Sequence, residues 1–436
     1  MFGGIRGKLL RRLRALIVPR PAIATELART LPTLAVVIRT LIRLTAARFA
    51  DLRCSLIRQK RPLRLGVDVR SFYEPLTGVG WYLHHLLEHL KDRDDIEIVP
   101  FGDALTTDDG PRLFAEVPGG TPVRTIDMRG KVASRFTRPV TRVAFVIAAK
   151  LHNCDLFFAP NYFLPGGLSR IAGRRVLTVH DLTFRRYPEL LQAETLDNLQ
   201  REMQREIFRA DAIVCVSEAT RSDLLEFYPT DESKVLTVLS GLAPGAEPEA
   251  TVGTLPSRFL LFVSTIEPRK NLDALITAFE SLKERGVYDG SLVVVGKVGW
   301  KSERTVERLR TSRWHESIVH LDYLTRSQLA FVYSKAELFV FPSIYEGFGF
   351  PLLEAMAAGV PTVAARSSSL PEVGGDATIL FDPHSVTELA DAIETVVTNR
   401  ETADRLRRRG LERVSQFDWA KAAEETLSVF LKAAER

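Results

Sequence analysis

The stretch Phe341-Pro-Ser-Ile-Tyr345-Glu346-Gly347-Phe348-Gly349-Phe350-Pro351-Leu-Leu-Glu354-Ala-Met-Ala-Ala-Gly359-Val-Pro361 changes character three times. The apolar run Leu338–Phe341 that leads into it reads as a buried strand of a parallel sheet, stopped at Pro342. Gly347 and Gly349 then permit a tight loop whose backbone amides face a ligand. Pro351 suits the first position of a helix and Gly359 its carboxyl end. This places Glu346 in the loop after a strand and Glu354 in the first helical turn, where open α/β sheets bind ligands. An acceptor-only carboxylate at each place could hold two hydroxyls of one molecule. The residues alone leave a plainer alternative open, one capping glutamate and one surface glutamate.

Working outward, the same strand-then-loop grammar recurs. Phe259–Val263 is a strand, followed by Glu267-Pro268-Arg269-Lys270-Asn271 at the start of a helix. Two cations there oppose the helix dipole and become favourable when an anion completes the site. Arg175–Val179 ends in His180-Asp181, an ionisable pair at a strand tip, and Ser217 is placed to cap the helix after Ala210–Val216. Near the start, strand Leu63–Arg70 leads to Thr77-Gly78-Val-Gly80-Trp81, a glycine turn opening a helix and able to present amides to a phosphate. That helix also carries His85-Leu-Leu-Glu88-His89, the pattern of an inverted zinc metallopeptidase. Residues 244–256 are rich in proline and glycine and read as a linker, and two long helices, about 385–399 and 420–434, close the chain.

Charge is distributed unevenly. Residues 1–60 hold 13 Lys+Arg against Glu26 and Asp51, a net +11, so the remainder of this +5 chain carries −6. A mildly acidic body argues against nucleic-acid binding. The segment 1–62 reads as a basic amphipathic helical leader for an anionic membrane surface, with a helix packed on the protein's own body as the alternative. No apolar run is long enough to span a bilayer, and three scattered cysteines suggest neither a disulfide framework nor a cysteine zinc site. Strand and helix alternate through two halves, giving an α/β chain of two doubly wound Rossmann-like domains facing a cleft, 63–250 and 251–415, with 416–436 as a closing helix.

Glu346 and Glu354, with seven residues between them in Glu-Gly-Phe-Gly-Phe-Pro-Leu-Leu-Glu, resemble the signature of retaining glycosyltransferases of family 4, which have the GT-B fold. The resemblance implies that Glu346 lies beside the donor sugar and Glu354 holds the ribose of a nucleotide. It makes Lys270, with Arg269, the grip on the donor diphosphate, and Gly80 its amide contact. Gly347, Phe348, Gly349 and Phe350 line the donor, while Tyr323 and Leu324 read the nucleobase through their backbone. His180, Asp181 and Ser217 fall on the acceptor side, with His180, Glu346 and Lys270 as the catalytic set. Trp81 departs from the basic residue usual after the glycine turn, and Ser240-Gly241-Leu242 departs from the usual Asn-Gly-Val-Asp. No metal or cofactor is implied. The Glu-Pro-Arg-Lys-Asn form is most similar to bacterial mannosyltransferases of surface-polysaccharide assembly, which favours GDP-mannose as donor. It also implies a glycan or lipid-linked acceptor and a peripheral place on the cytoplasmic face of the membrane.

Overall fold

The computed structural model describes residues 61–435 apart from 73–75, 77, 105, 108–109, 112–117, 119–123, 128–152, 163–173, 192 and 250–251. The leader 1–60 and its membrane reading therefore lie outside the described residues. The first sheet is built from β1 (Leu63–Asp68), β2 (Ile96–Ala104), β3 (Arg124–Asp127), β4 (Leu156–Ala159), β5 (Arg174–Val179), β6 (Ala212–Cys215) and β7 (Val235–Thr237). Its order is β3-β2-β1-β4-β5-β6-β7, every pairing parallel. The second sheet comprises β8 (Phe259–Val263), β9 (Ser291–Val295), β10 (Ile318–Leu321), β11 (Leu338–Phe341), β12 (Thr362–Ala365) and β13 (Thr378–Phe381), ordered β10-β9-β8-β11-β12-β13 and again all parallel. In both sheets the strand order reverses beside the first strand, at β1/β4 and at β8/β11. Those two reversals are the crevices in which doubly wound sheets hold ligands.

The strands form where the sequence offers short apolar, β-branched runs that can be buried on both faces. All five residues of β8 and all four of β11 are buried, which is the pattern of central parallel strands. Each fully buried Phe, Leu or Val side chain there contributes about 1.5–3 kcal/mol relative to exposure. Residues 238–249 and 252–258 carry no helix or strand, as the proline- and glycine-rich composition predicts. The closing segment differs from the two-helix reading. Between α-helices Val386–Thr398 and Trp419–Glu435 the connector is itself a helix, Arg400–Val414, capped by the Asn399 side chain accepting from the Thr402 amide. The last helix packs on helix α1 (Gly78–Leu90) and on β4, β5 and β6 of the first sheet, with Phe430 edge-on to Phe158 at 4.9 Å.

Candidate active site

The loop Pro342–Gly349 leaves β11 at the second reversal and is shaped by its two glycines and by hydrogen bonds to its backbone. Gly349, at φ +107°, precedes helix α2 (Phe350–Ala357), in which Pro351 is the second residue. Glu354 is consequently the fifth residue of that helix, one place beyond the first turn expected for it. Gly347 meets the first domain so closely that a Cβ there would lie 1.8 Å from the His180 carbonyl oxygen. The loop is held from its own side by three consecutive serines. Ser367 Oγ donates to the Ser343 carbonyl, Ser368 Oγ accepts from the Glu346 amide, and Ser369 Oγ donates to the carbonyls of Glu346 and Phe348.

The loop after β8 approaches from the adjacent strand. Asn271 adopts φ +55° and donates its side-chain amide to the Pro342 and Pro383 carbonyls, which fixes the short turn carrying Arg269 and Lys270. Lys270 Nζ lies 2.5 Å from Glu346 Oε1, and one Arg269 Nη lies 3.0 Å from Glu346 Oε2 and 2.7 Å from the Tyr345 carbonyl. The other Arg269 Nη lies 2.7 Å from Glu267 Oε1. Two acids and two bases thus form one buried, neutral cluster, each residue partnered. Burial would raise the Glu346 pKa, but the Lys270 and Arg269 charges outweigh it and hold the carboxyl at about 2. Glu346 is therefore ionised at neutral pH.

Glu354 has a contrasting setting. It accepts from Tyr333 OH at 3.1 Å, and burial raises its pKa above the usual carboxylate range, with the Tyr333 bond working the other way. Together with Tyr333 and Arg326 it lines a cavity of about 280 Å³ whose other walls come from the helix Arg326–Lys335, the end of helix α2, and residues 242–246 and 248. Arg326 donates to the Pro244 carbonyl and sits over the Trp81 ring at 4.9 Å. A cation from the second half therefore stands beside Trp81, where the glycine-turn helix itself offers none.

Across Gly347 lies the carboxyl edge of the first sheet. His180 Nε2 donates to the Pro160 carbonyl at 2.7 Å, which leaves Nδ1 as the acceptor of a neutral ring, and burial lowers the His180 pKa. Asp181 accepts from Tyr162 OH at 3.1 Å. Ser217 caps its helix by accepting from the Thr220 amide and donates its own hydroxyl to the Gly347 carbonyl at 2.7 Å. The structure thus brings His180, Asp181, Ser217, Gly347, Glu346, Arg269 and Lys270 together. Gly80 is buried in helix α1 at the first reversal, its Cβ position 2.6 Å from the Ser71 carbonyl oxygen. Phe348 is buried against Phe417, and Phe350 is tilted on Phe348 at 4.9 Å. Tyr323 and Leu324 follow β10, Tyr323 exposed beneath Lys297.

The zinc reading finds no such convergence. His85 is stacked between Trp81 and Trp419, His89 bonds the His85 carbonyl, and Glu88 pairs with Lys91. Among the described residues no group of three His, Cys, Asp or Glu is placed to hold a metal. Sequence reasoning also missed Tyr345, Asn271, Arg326, Tyr333 and the three serines. The serine run after a buried strand was the one visible signal.

Two parallel doubly wound sheets that meet at a charged loop cluster make the architecture of the GT-B fold. The sequence models described as "Glycosyltransferase Family 4" and "Glycosyl transferases group 1" match residues 76–244 and 250–413 respectively. The chain belongs to the family-4 glycosyltransferases. It is 27% identical to O-antigen chain mannosyltransferase B of Escherichia coli, covering 82% of this chain and 96% of that protein. It is 31% identical to the serotype-specific mannosyltransferase WbdA of Escherichia coli over 52% of this chain and only 29% of WbdA. Among solved structures, sucrose-phosphate synthase from Thermosynechococcus elongatus superposes with a TM-score of 0.68 at 20% identity, over 85% of this chain and 98% of that one. HepE of Anabaena, solved with UDP and glucose, superposes at 0.66 and 18% identity, over 85% and 99%. These structural likenesses are to the fold.

Proposed function

We propose that the chain is a retaining hexosyltransferase that moves mannose from GDP-mannose to a hydroxyl of a glycan or lipid-linked acceptor. The observation that carries the reading is the junction of Lys270, Arg269 and Glu346 at the second reversal, faced by His180 and Asp181 across Gly347. The O-antigen mannosyltransferase relative, matched over nearly its full length, supports the choice of sugar.

In this reading the donor diphosphate lies along Lys270 and Arg269, with amides of the Gly80 turn on its other side. Glu354, in its cavity with Tyr333, holds the ribose, and the backbone of Tyr323 and Leu324 meets the base. The sugar C1–O bond breaks toward an oxocarbenium-like centre beside Glu346, and the acceptor hydroxyl attacks from the same face. The leaving phosphate oxygen takes the hydroxyl proton, so the anomeric configuration is kept. Catalysis is chiefly electrostatic, because the cations are fixed in a buried cluster before charge develops on the leaving group. Lysine and arginine carry that charge in place of a metal. Neutral His180 offers Nδ1 to a sugar or acceptor hydroxyl, with Asp181 and Ser217 beside it.

The enzyme acts at the cytoplasmic membrane face, held by residues 1–60. Among the described residues no helix is long and apolar enough to cross a membrane. The test is a panel of GDP- and UDP-hexoses incubated with the full chain. Release of GDP from GDP-mannose above all others is expected. Binding without turnover of any donor would instead make the chain a nucleotide-sugar-binding module.

A further inference from the structure

Tyr345 immediately precedes Glu346, yet its side chain belongs to the other half of the molecule. Its ring is 4% exposed and packs edge-on against Tyr187 at 5.9 Å. Its hydroxyl donates to Asp223 Oδ2 at 2.6 Å and accepts from the Leu182 amide at 3.2 Å, one residue beyond the His180-Asp181 pair. The second Asp223 oxygen pairs with Arg186, which also pairs with Glu226 at 2.6 Å and lies over the Phe227 ring at 4.6 Å. On its own side the Tyr345 carbonyl takes the 2.7 Å bond from Arg269, the residue that also grips Glu346. One residue therefore bonds the cation cluster through its backbone and the first domain through its side chain.

We propose that Tyr345, locked by Asp223 and Arg186, is a positioning residue that couples the approach of the two domains to the placement of Glu346. This rests on the glycosyltransferase reading for its catalytic consequence, though not for its mechanics. A phenol hydroxyl on a nearly buried, arginine-clamped carboxylate is a charge-assisted bond, stronger than the neutral contacts beside it. The Ser217 and Thr220 hydroxyls on the Gly347 carbonyl, at 2.7 and 3.3 Å, and Glu372 accepting from the Glu218 amide at 2.9 Å also cross between domains. The Thr220 hydroxyl also reaches the His180 carbonyl at 3.4 Å, but none of these groups bonds Glu346, Arg269 or Lys270. Tyr345 does. When its hydroxyl is seated, Glu346 is presented at a fixed distance from His180; when it is released, Glu346 keeps its cations and loses its register with the first domain.

The test uses the full chain with Tyr345→Phe, Asp223→Asn and the double variant. Turnover of GDP-mannose, GDP affinity, thermal midpoint and the radius of gyration from small-angle scattering are measured for each. Loss of one charge-assisted bond in the reacting arrangement is expected to lower kcat roughly ten- to a hundredfold. GDP affinity is expected to stay within about twofold, well under the tenfold that 1.4 kcal/mol represents. The double variant should be no worse than the worse single one, and both singles should be more extended than wild type. Unchanged kcat in Tyr345→Phe overturns the proposal, as does a parallel fall in kcat, GDP affinity and thermal midpoint, which marks a merely structural contact. If wild type turns over no donor, the glycosyltransferase reading fails by itself. Scattering then decides the coupling: extended variants support it, and profiles identical to wild type overturn it.

Discussion

The two sheets repeat one strand order, yet their reversals carry opposite chemistry. At β1/β4 and the neighbouring tip of β5 the cleft-facing groups are Gly80, Trp81 and a neutral, carbonyl-bonded His180. At β8/β11 two acids and two bases are linked in a chain of ion pairs, none longer than 3.0 Å. The fold supplies both crevices, and the segments that follow the strands place the charged cluster in one and uncharged groups in the other. In the proposed reaction the second reversal takes the diphosphate and the first takes the hydroxyl that attacks.

The largest expected effect of breaking that contrast is at Lys270. Lys270→Ala removes a pre-placed charge from the leaving group and should lower kcat/KM by about two to three orders of magnitude, the scale of a lost electrostatic donor. Arg269→Ala should cost less activity and more stability, because Arg269 also braces Glu267 and the Tyr345 carbonyl. Equal, small losses from both would remove the diphosphate assignment.

Gly347→Ala tests whether the two regions must touch. A Cβ 1.8 Å from the His180 carbonyl cannot be absorbed by a flexible side chain, so the domains must separate. Turnover should drop by well over about tenfold, and wild-type activity in this variant would mean that the contact is dispensable.

The two glutamates sharpen the comparison within the second domain. Glu346→Ala should chiefly lower kcat, whereas Glu354→Ala should chiefly weaken nucleotide binding, by about tenfold for a lost hydrogen-bonded carboxylate. Nucleotide affinity lost in the first and kept in the second would reverse their roles.

A smaller effect concerns pH. Because the folded-state pKa of Glu346 is about 2 against an ordinary 4.5, its pairing stabilises the fold above pH 4.5 and that contribution fades as pH falls through 4.5 toward 2. Denaturant midpoints between pH 6 and 3 should fall less in Glu346→Gln than in wild type. Parallel curves would show that the ion pairs add nothing to stability.

Most of the second domain was legible because its signals are local. A buried run, two glycines, a proline and a paired basic turn lie within short windows, and the strands they predict at Leu338–Phe341 and Phe259–Val263 are the observed ones. What was hidden depends on distance in the sequence. Tyr345 reads as one more aromatic until Asp223, 122 residues earlier, is seen to receive its hydroxyl. Nothing near Arg326 in the sequence points to Trp81, 245 residues earlier, whose ring lies beneath it. The connector at Arg400–Val414 carries so many arginines that its few buried residues, Ala403, Leu406 and Gly410, gave no apolar stripe to read.

The smallest effect on turnover in solution is expected from the leader. Full-length chain should sediment with anionic liposomes and be released by high salt, and a chain beginning at Arg61 should not sediment, while its turnover of a soluble acceptor stays within about twofold of wild type. Equal sedimentation of the shortened chain would free residues 1–60 from any anchoring role.

The most direct test of the charged reversal is a calorimetric titration of GDP and UDP into wild type and Lys270→Ala. The expected result is binding of GDP in preference to UDP by wild type, weakened about tenfold or more in Lys270→Ala as one charge-assisted contact to a phosphate is lost. Equal affinity in the two proteins would contradict the assignment of the Lys270, Arg269 and Glu346 cluster to the donor diphosphate.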